Sequence, residues 1–237
     1  MGVNTEKAFS LLVDQIHAGL CFMCSAEEQN NYVEQKTKAF EKATKFIQGL
    51  PQMRKILSTD VEAAYIGDPA AQSRGEVIFC YPAIRAIANY RIAHALLKLD
   101  VPLIPRMISE MAHSETGIDI HPNAQIGESF TIDHGTGVVI GATSIIGKNV
   151  KLFQGVTLGA KNFKLDEKGN PIKGIPRHPI VEDNVVIYAQ ATILGRITVG
   201  EGSVIGGNVW VTSDVPPGSK IVQFKPKDPY FYDGSGI

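Results

Sequence analysis

A histidine between an acid and two nearby glycines is the strongest chemical signal in the chain: Asp133, His134, Gly135, Thr136, Gly137. A neutral imidazole accepts a hydroxyl proton near neutral pH. A carboxylate on its other nitrogen fixes the tautomer and stabilises the imidazolium that forms. Asp119 and His121 flank Ile120, and Asp119 precedes His134 by fifteen residues. A second polar group, Arg177, His178 and Pro179, ends a Gly-, Pro- and Lys-rich segment over residues 160–178. These residue types suit general-base chemistry on a hydroxyl. A zinc site competes with that reading, because His121, His134 and His178 could supply three imidazoles from a trimer groove. Arg177 beside a cation is unfavourable, so no metal is expected. Cys21 and Cys24 form a C-x-x-C without a second pair, and read as thiols in a helix rather than as redox or metal ligands.

The elements that must carry these residues show a period of six. Ile120, Ile126 and Ile132 begin it. After a shift of two residues, Ile140, Ile146, Leu152 and Leu158 continue. After residues 160–178, Val181, Ile187, Ile193, Val199, Ile205 and Val211 resume the same step. A step of six is neither helical nor alternating, and it predicts a parallel β-helix of hexapeptide repeats. Each repeat gives one short strand and one turn, with its aliphatic residue on the axis. Three repeats close a triangular coil, so the segments predict about four coils. The motif at 133–137 falls on the two-residue shift, where the coil must bulge. Asp119 and His134, slightly less than one coil apart, are expected on adjacent levels. The polar segment 160–178 reads as a loop that can cover a neighbouring groove. Such short prisms bury their faces as homotrimers, with sites in the grooves between them.

The first half reads as helical. A polar, Ala- and Glu-rich stretch over residues 27–50 is expected to end at Gly49 and Pro51. Thr59 and Glu62 suggest a capping box opening a short helix that Gly67, Asp68 and Pro69 break. Pro82 suits the first turn of the next helix, along which Ile84, Ile87, Arg91, Ala95 and Leu99 recur. Pro102 and Pro105 precede one more helix ending near His113. The expected organisation is α+β: a helical domain over 1–114, a left-handed parallel β-helix over 115–215 with an inserted loop at 160–178, and a tail over 216–237.

The 237 residues carry 23 basic and 24 acidic side chains, a net charge of -1, with 44% hydrophobic residues. That composition excludes a disordered chain and gives no basic face for nucleic acid or an anionic membrane. The start lacks a basic segment followed by an apolar one, and no apolar run reaches membrane-spanning length. Three cysteines are too few for a disulfide scaffold, and a reduced, cytoplasmic setting is expected.

Several stretches together resemble the serine O-acetyltransferases: GIDIHP at 117–122, IDHGTGV at 132–138, GVTLG at 155–159 and RHP at 177–179. GDPA at 67–70 and YRIAH at 90–94 match motifs of that family's helical domain, and the similarity runs from about residue 60 to residue 218. The resemblance implies acetyl transfer from acetyl-CoA to the hydroxyl of L-serine, in cysteine biosynthesis, by direct attack. It implies His134 as general base, oriented by Asp119. It implies Asp68 and Asp133 around the substrate amino group, and Arg177 and His178 around its carboxylate. Gly159, Ala160, Ala189 and Gly207 match positions where small residues let CoA approach the backbone. The family also implies a homotrimer or dimer of trimers, and capture of the C-terminal Ile237 by O-acetylserine sulfhydrylase. Two departures stand out. The 160–178 insertion is longer than in many members, and VQFKPK at 222–227 replaces a Gly-x-Pro-Ala often found there. A hexapeptide acyltransferase for another acceptor, such as an amino sugar, and a non-catalytic scaffold for the sulfhydrylase are the alternatives.

Overall fold

The computed structural model describes residues 2–23 and 32–223. Cys24, Ile237 and most of the tail lie outside the described residues. Five helices come first: α1 (Gly2–Met23), α2 (Tyr32–Gly67), α3 (Arg74–Cys80), α4 (Pro82–Lys98) and α5 (Ile104–Thr116). Short strands follow: β1 (Asp119–Ile120), β2 (Gln125–Ile126), β3 (Thr131–Asp133), β4 (Val139–Ile140), β5 (Ile145–Ile146), β6 (Lys151–Phe153) and β7 (Thr157–Gly159). Beyond residues 160–178 come β8 (Ile180–Val181), β9 (Val186–Ile187), β10 (Thr192–Leu194), β11 (Thr198–Val199), β12 (Val204–Ile205), β13 (Trp210–Val211) and β14 (Lys220–Ile221).

All the strand pairs are parallel and join successive coils, giving three flat sheets. The first sheet runs β1-β4-β7-β10-β13, the second β2-β5-β8-β11, the third β3-β6-β9-β12-β14. The chain visits the sheets in that order on every coil, so the product is a triangular prism. It has about five coils rather than four, because a bridge at Val215 and strand β14 extend the stack past Val211. Strand β14 falls in the segment read from sequence as tail. The six-residue step meets its physical cause in the core: twelve of its thirteen aliphatics are buried, and Ile126 packs partly buried against the same cluster.

The helices correct two expectations. Helix α2 does not stop at Gly49 and Pro51 but runs through Pro51 to Gly67. An internal proline costs a helix about 3 kcal/mol, and here packing on both sides of it offsets that cost. Ala39 and Ala43 are buried against α1, while Asp60 and Ala64 are buried nearer the prism. Thr59 therefore sits inside a helix and opens none. Its hydroxyl instead accepts the Ser129 amide at 2.9 Å, tying α2 to the prism. The capping box falls at Ser73 and Glu76, where Ser73 accepts the Glu76 amide and Glu76 accepts the Gln72 amide. Gly67 ends α2, Pro82 opens α4, and α5 runs slightly past His113, as read.

Helix and prism meet through a buried ion pair. Arg91 of α4 bonds Asp60 of α2 with two nitrogens, at 3.0 and 3.1 Å, and donates to the Ile126 and Gly127 carbonyls at 2.6 Å. Asp60 also accepts the Phe130 amide at 3.0 Å. Tyr90 donates to the Ala124 carbonyl at 2.7 Å. Removing Arg91 leaves a buried carboxylate without its cation. Arg91→Ala should destabilise the fold by about 3–5 kcal/mol, read by chemical denaturation. Lys148→Ala, which breaks an exposed pair with Glu128, should be nearly silent in the same measurement.

Candidate active site

The first coil is two residues longer than the regular coil of eighteen. Asp119 pairs with Val139, twenty residues on, whereas Val139 pairs with Thr157, eighteen on. The extra two residues form the bulge between β3 and β4. His134 there has φ +57°, and Gly135 and Gly137 also take positive φ. A side chain at Gly135 would bring its Cβ within 2.5 Å of Ile118 Cδ1, so that position excludes one. The bulge thus turns His134 outward, with 77% of its side chain exposed, at the edge where the third sheet passes into the first.

Acids converge on that edge. Asp133 Oδ1 lies 3.7 Å from His134 Nε2, and Asp133 Oδ2 lies 2.9 Å from Lys151 Nζ. Lys151 also donates to the Gly67 carbonyl at 2.8 Å. Asp68, just past the end of α2, accepts the Ala70 amide at 2.8 Å and the Tyr81 hydroxyl at 2.5 Å. The Tyr81 bond, with the Ala70 amide, holds the Asp68 carboxyl below its usual range. The same bond pushes the Tyr81 phenol up to about 12. Asp68, Asp133 and His134 are therefore gathered in one place, as their assignment requires. Tyr81 and Lys151 join them and carry no sequence signal of their own. Tyr81 is visible only as the residue before Pro82, and Lys151 as an outward position of the repeat.

The other predicted residues distribute over the prism. Asp119 opens β1, and its amide donates to the Val138 carbonyl just beyond the bulge. No hydrogen bond joins Asp119 to His134 among the described residues. Ala189 and Gly207 lie higher on the same edge as His134; the Asn208 amide donates to the Ala189 carbonyl at 2.9 Å. A side chain at Gly207 would bring its Cβ to 3.1 Å from that carbonyl. Gly159 ends β7, and Ala160 follows it, at the opposite border of the first sheet; Ile237 lies outside the described residues.

Arg177 and His178 stand at that opposite border too, with His121. His178 Nδ1 accepts the Thr143 amide at 3.1 Å, and Thr143 Oγ1 accepts the Arg177 and His178 amides. Gly141 leaves room for the His178 ring: a Cβ there would fall 2.0 Å from its Cδ2. One chain therefore holds the two groups on the two borders of one sheet, and does not bring Arg177 and His178 to His134. His121 stands with His178 on one border, and His134 stands on the other. Between the borders, the outward row of the first sheet runs Asp119, Val139, Thr157, Thr192 and an exposed Trp210, so its one charge is at the first coil.

Burial, with Arg106 and Arg177 nearby, pushes the His121 imidazole down to about 4. Burial, with Arg177 and His121 nearby, does the same for His178. Both rings are neutral in the folded chain at pH 6, where ordinary imidazoles of the unfolded chain are taking protons. The unfolded state thus binds more protons between about pH 6.5 and pH 4, and stability falls as pH drops through that window. Denaturation midpoints measured at pH 7.5 and 5 should show this loss. His121→Asn, which keeps an acceptor for the Asn123 amide, should show a shallower one.

The chain is similar to known proteins in sequence and in fold. The Hexapep family, described as bacterial transferase hexapeptide (six repeats), matches residues 178–213. A serine acetyltransferase of Synechococcus elongatus (plasmid) is 52% identical over all of this chain and 75% of its own length. That of Bacillus subtilis is 48% identical over 71% of this chain and 73% of its own. The crystal structure of Entamoeba histolytica serine acetyltransferase 1 in complex with L-cysteine superposes with a TM-score of 0.80 at 38% identity, covering 92% of this chain and 75% of that one. Neisseria gonorrhoeae serine acetyltransferase in complex with serine gives 0.69 at 30%, over 92% and 83%. The prism is the left-handed β-helix of those enzymes, and the chain belongs to the serine acetyltransferase family of acyltransferases.

Proposed function

We propose that the chain transfers the acetyl group of acetyl-CoA to the hydroxyl of L-serine, giving O-acetylserine and CoA. The observation that carries this reading is the convergence of Asp68, Asp133 and His134 on one bulged edge, with Ala189 and Gly207 in line above them. Two carboxylates attract an ammonium and place a nearby hydroxyl against an exposed imidazole. The small residues above leave the edge open for the pantetheine arm of the donor.

In this mechanism His134 takes the serine hydroxyl proton as the oxygen bonds to the thioester carbon. The C–S bond then breaks, and the imidazolium returns its proton to the leaving thiolate. Asp119, one strand away across the bulge, orients the ring and stabilises its charged form. Arg177 and His178 hold the substrate carboxylate, and they do so for the neighbouring copy. The two half-sites lie on opposite borders of one sheet, so packing that sheet about a three-fold axis brings the border of one copy to the opposite border of the next. A homotrimer, or a dimer of trimers, completes the site on this reading. Ile237 is assigned to bind O-acetylserine sulfhydrylase through its free carboxylate.

CoA release from acetyl-CoA with L-serine as acceptor tests the reading. The wild type should turn over, and His134→Ala should lose a factor of about 10² or more in kcat. A wild type inactive with L-serine would sink the reading.

A further inference from the structure

Lys151 occupies an ordinary outward position of the repeat, yet its ammonium sits at the centre of the acid cluster. It lies 2.9 Å from Asp133 Oδ2 and donates to the Gly67 carbonyl at 2.8 Å. It also rests over the Phe153 ring, 4.7 Å from the centroid, and its side chain is only 20% exposed. Phe153 is itself stacked on Tyr188, with centroids 4.8 Å apart, so the platform beneath the ammonium is fixed. Contacts on three sides restrain a side chain that is otherwise long and flexible.

Two of these contacts bear on an acid. The bond to Gly67 pins the residue that precedes Asp68 onto the prism. The bond to Asp133 engages Oδ2 and leaves Oδ1 facing His134. Charge makes the third argument. Asp68 and Asp133 bring two negative charges to one edge, whereas an amino acid brings one ammonium. Without a second cation the two carboxylates repel, and Asp133 is free to turn away.

We propose that Lys151 is the positioning residue for the acceptor's amino group. Its ammonium fixes the rotation of Asp133, ties the Gly67–Asp68 turn to the prism, and leaves one net negative charge for the substrate ammonium to meet. The inference rests on the proposed acetyl transfer to L-serine and names what sets the grip on that substrate's amino end.

Steady-state kinetics of Lys151→Met and Lys151→Arg in the full chain test it. In Lys151→Met the KM for L-serine should rise about tenfold or more, the loss of one charge-assisted contact. The KM for acetyl-CoA should stay within about twofold. Lys151→Arg, whose guanidinium donates to both oxygens, should recover most of the loss. Two competitive inhibitors separate positioning of the amino end from general damage. L-alanine keeps the ammonium and should weaken in step with L-serine, while 3-hydroxypropanoate lacks it and should inhibit as in the wild type. Should Lys151→Met fail to fold, Lys151→Gln keeps a donor for Gly67 without the charge and serves the same comparison. An unchanged KM for L-serine, or equal weakening of both inhibitors, overturns the role of Lys151. Both results presuppose an active wild type, so they are distinct from failure of the parent reading.

Discussion

Every strand of the prism is held by the strand one coil away, and every coil is centred by aliphatic side chains packed on the axis. This inward stack is the constraint on which the rest depends. Because the core admits two residues in six, the aliphatic of each repeat and the residue two before it, and fixes the register, each outward position falls at a known height on a known face. The bulge at 133–137 is a local exception to that regularity. It adds two residues without disturbing the pairs on either side, since Asp119 still meets Val139 and Thr131 still meets Lys151. The cluster of Asp68, Asp133, His134 and Lys151 gathers where the repeat departs from its own rule.

The helical half supplies what a solenoid lacks. A prism of short strands offers edges but no walls, and Arg91 with Asp60 clamps α2 and α4 onto its first coil. The turn after α2 then lies against the bulge, with Asp68 and Tyr81 facing Asp133 and Lys151. The second half-site needs no such wall. Arg177 and His178 are seated by Thr143 and by the space that Gly141 leaves. The same fold therefore builds two kinds of site on two edges: one braced by another domain, one braced within the solenoid.

Most of the prism is legible in the sequence, because a narrow apolar axis tolerates few residue types and repeats them at a fixed step. His134 and Asp133 are legible for a related reason: glycines at a register shift mark a backbone that must turn sharply. The course of α2 through Pro51 is not legible, since packing on two separate partners decides it. Lys151 and Tyr81 are hidden for the same cause. Their residue types are ordinary where they stand, and Lys151 acquires its role from a carbonyl 84 residues earlier in the chain. The site's acids could be read one at a time, but the cation that organises them could not.

The 160–178 segment separates height in the stack from distance along the chain. Ile145 pairs with Ile180 and Lys151 with Val186, thirty-five residues apart, with the same parallel geometry as pairs separated by eighteen. Leaving and rejoining at one corner costs mainly loop-closure entropy, which grows only with the logarithm of length. Insertions at that corner are therefore nearly neutral for the core. A lineage can lengthen, shorten or recharge this edge while the coils above and below keep their places.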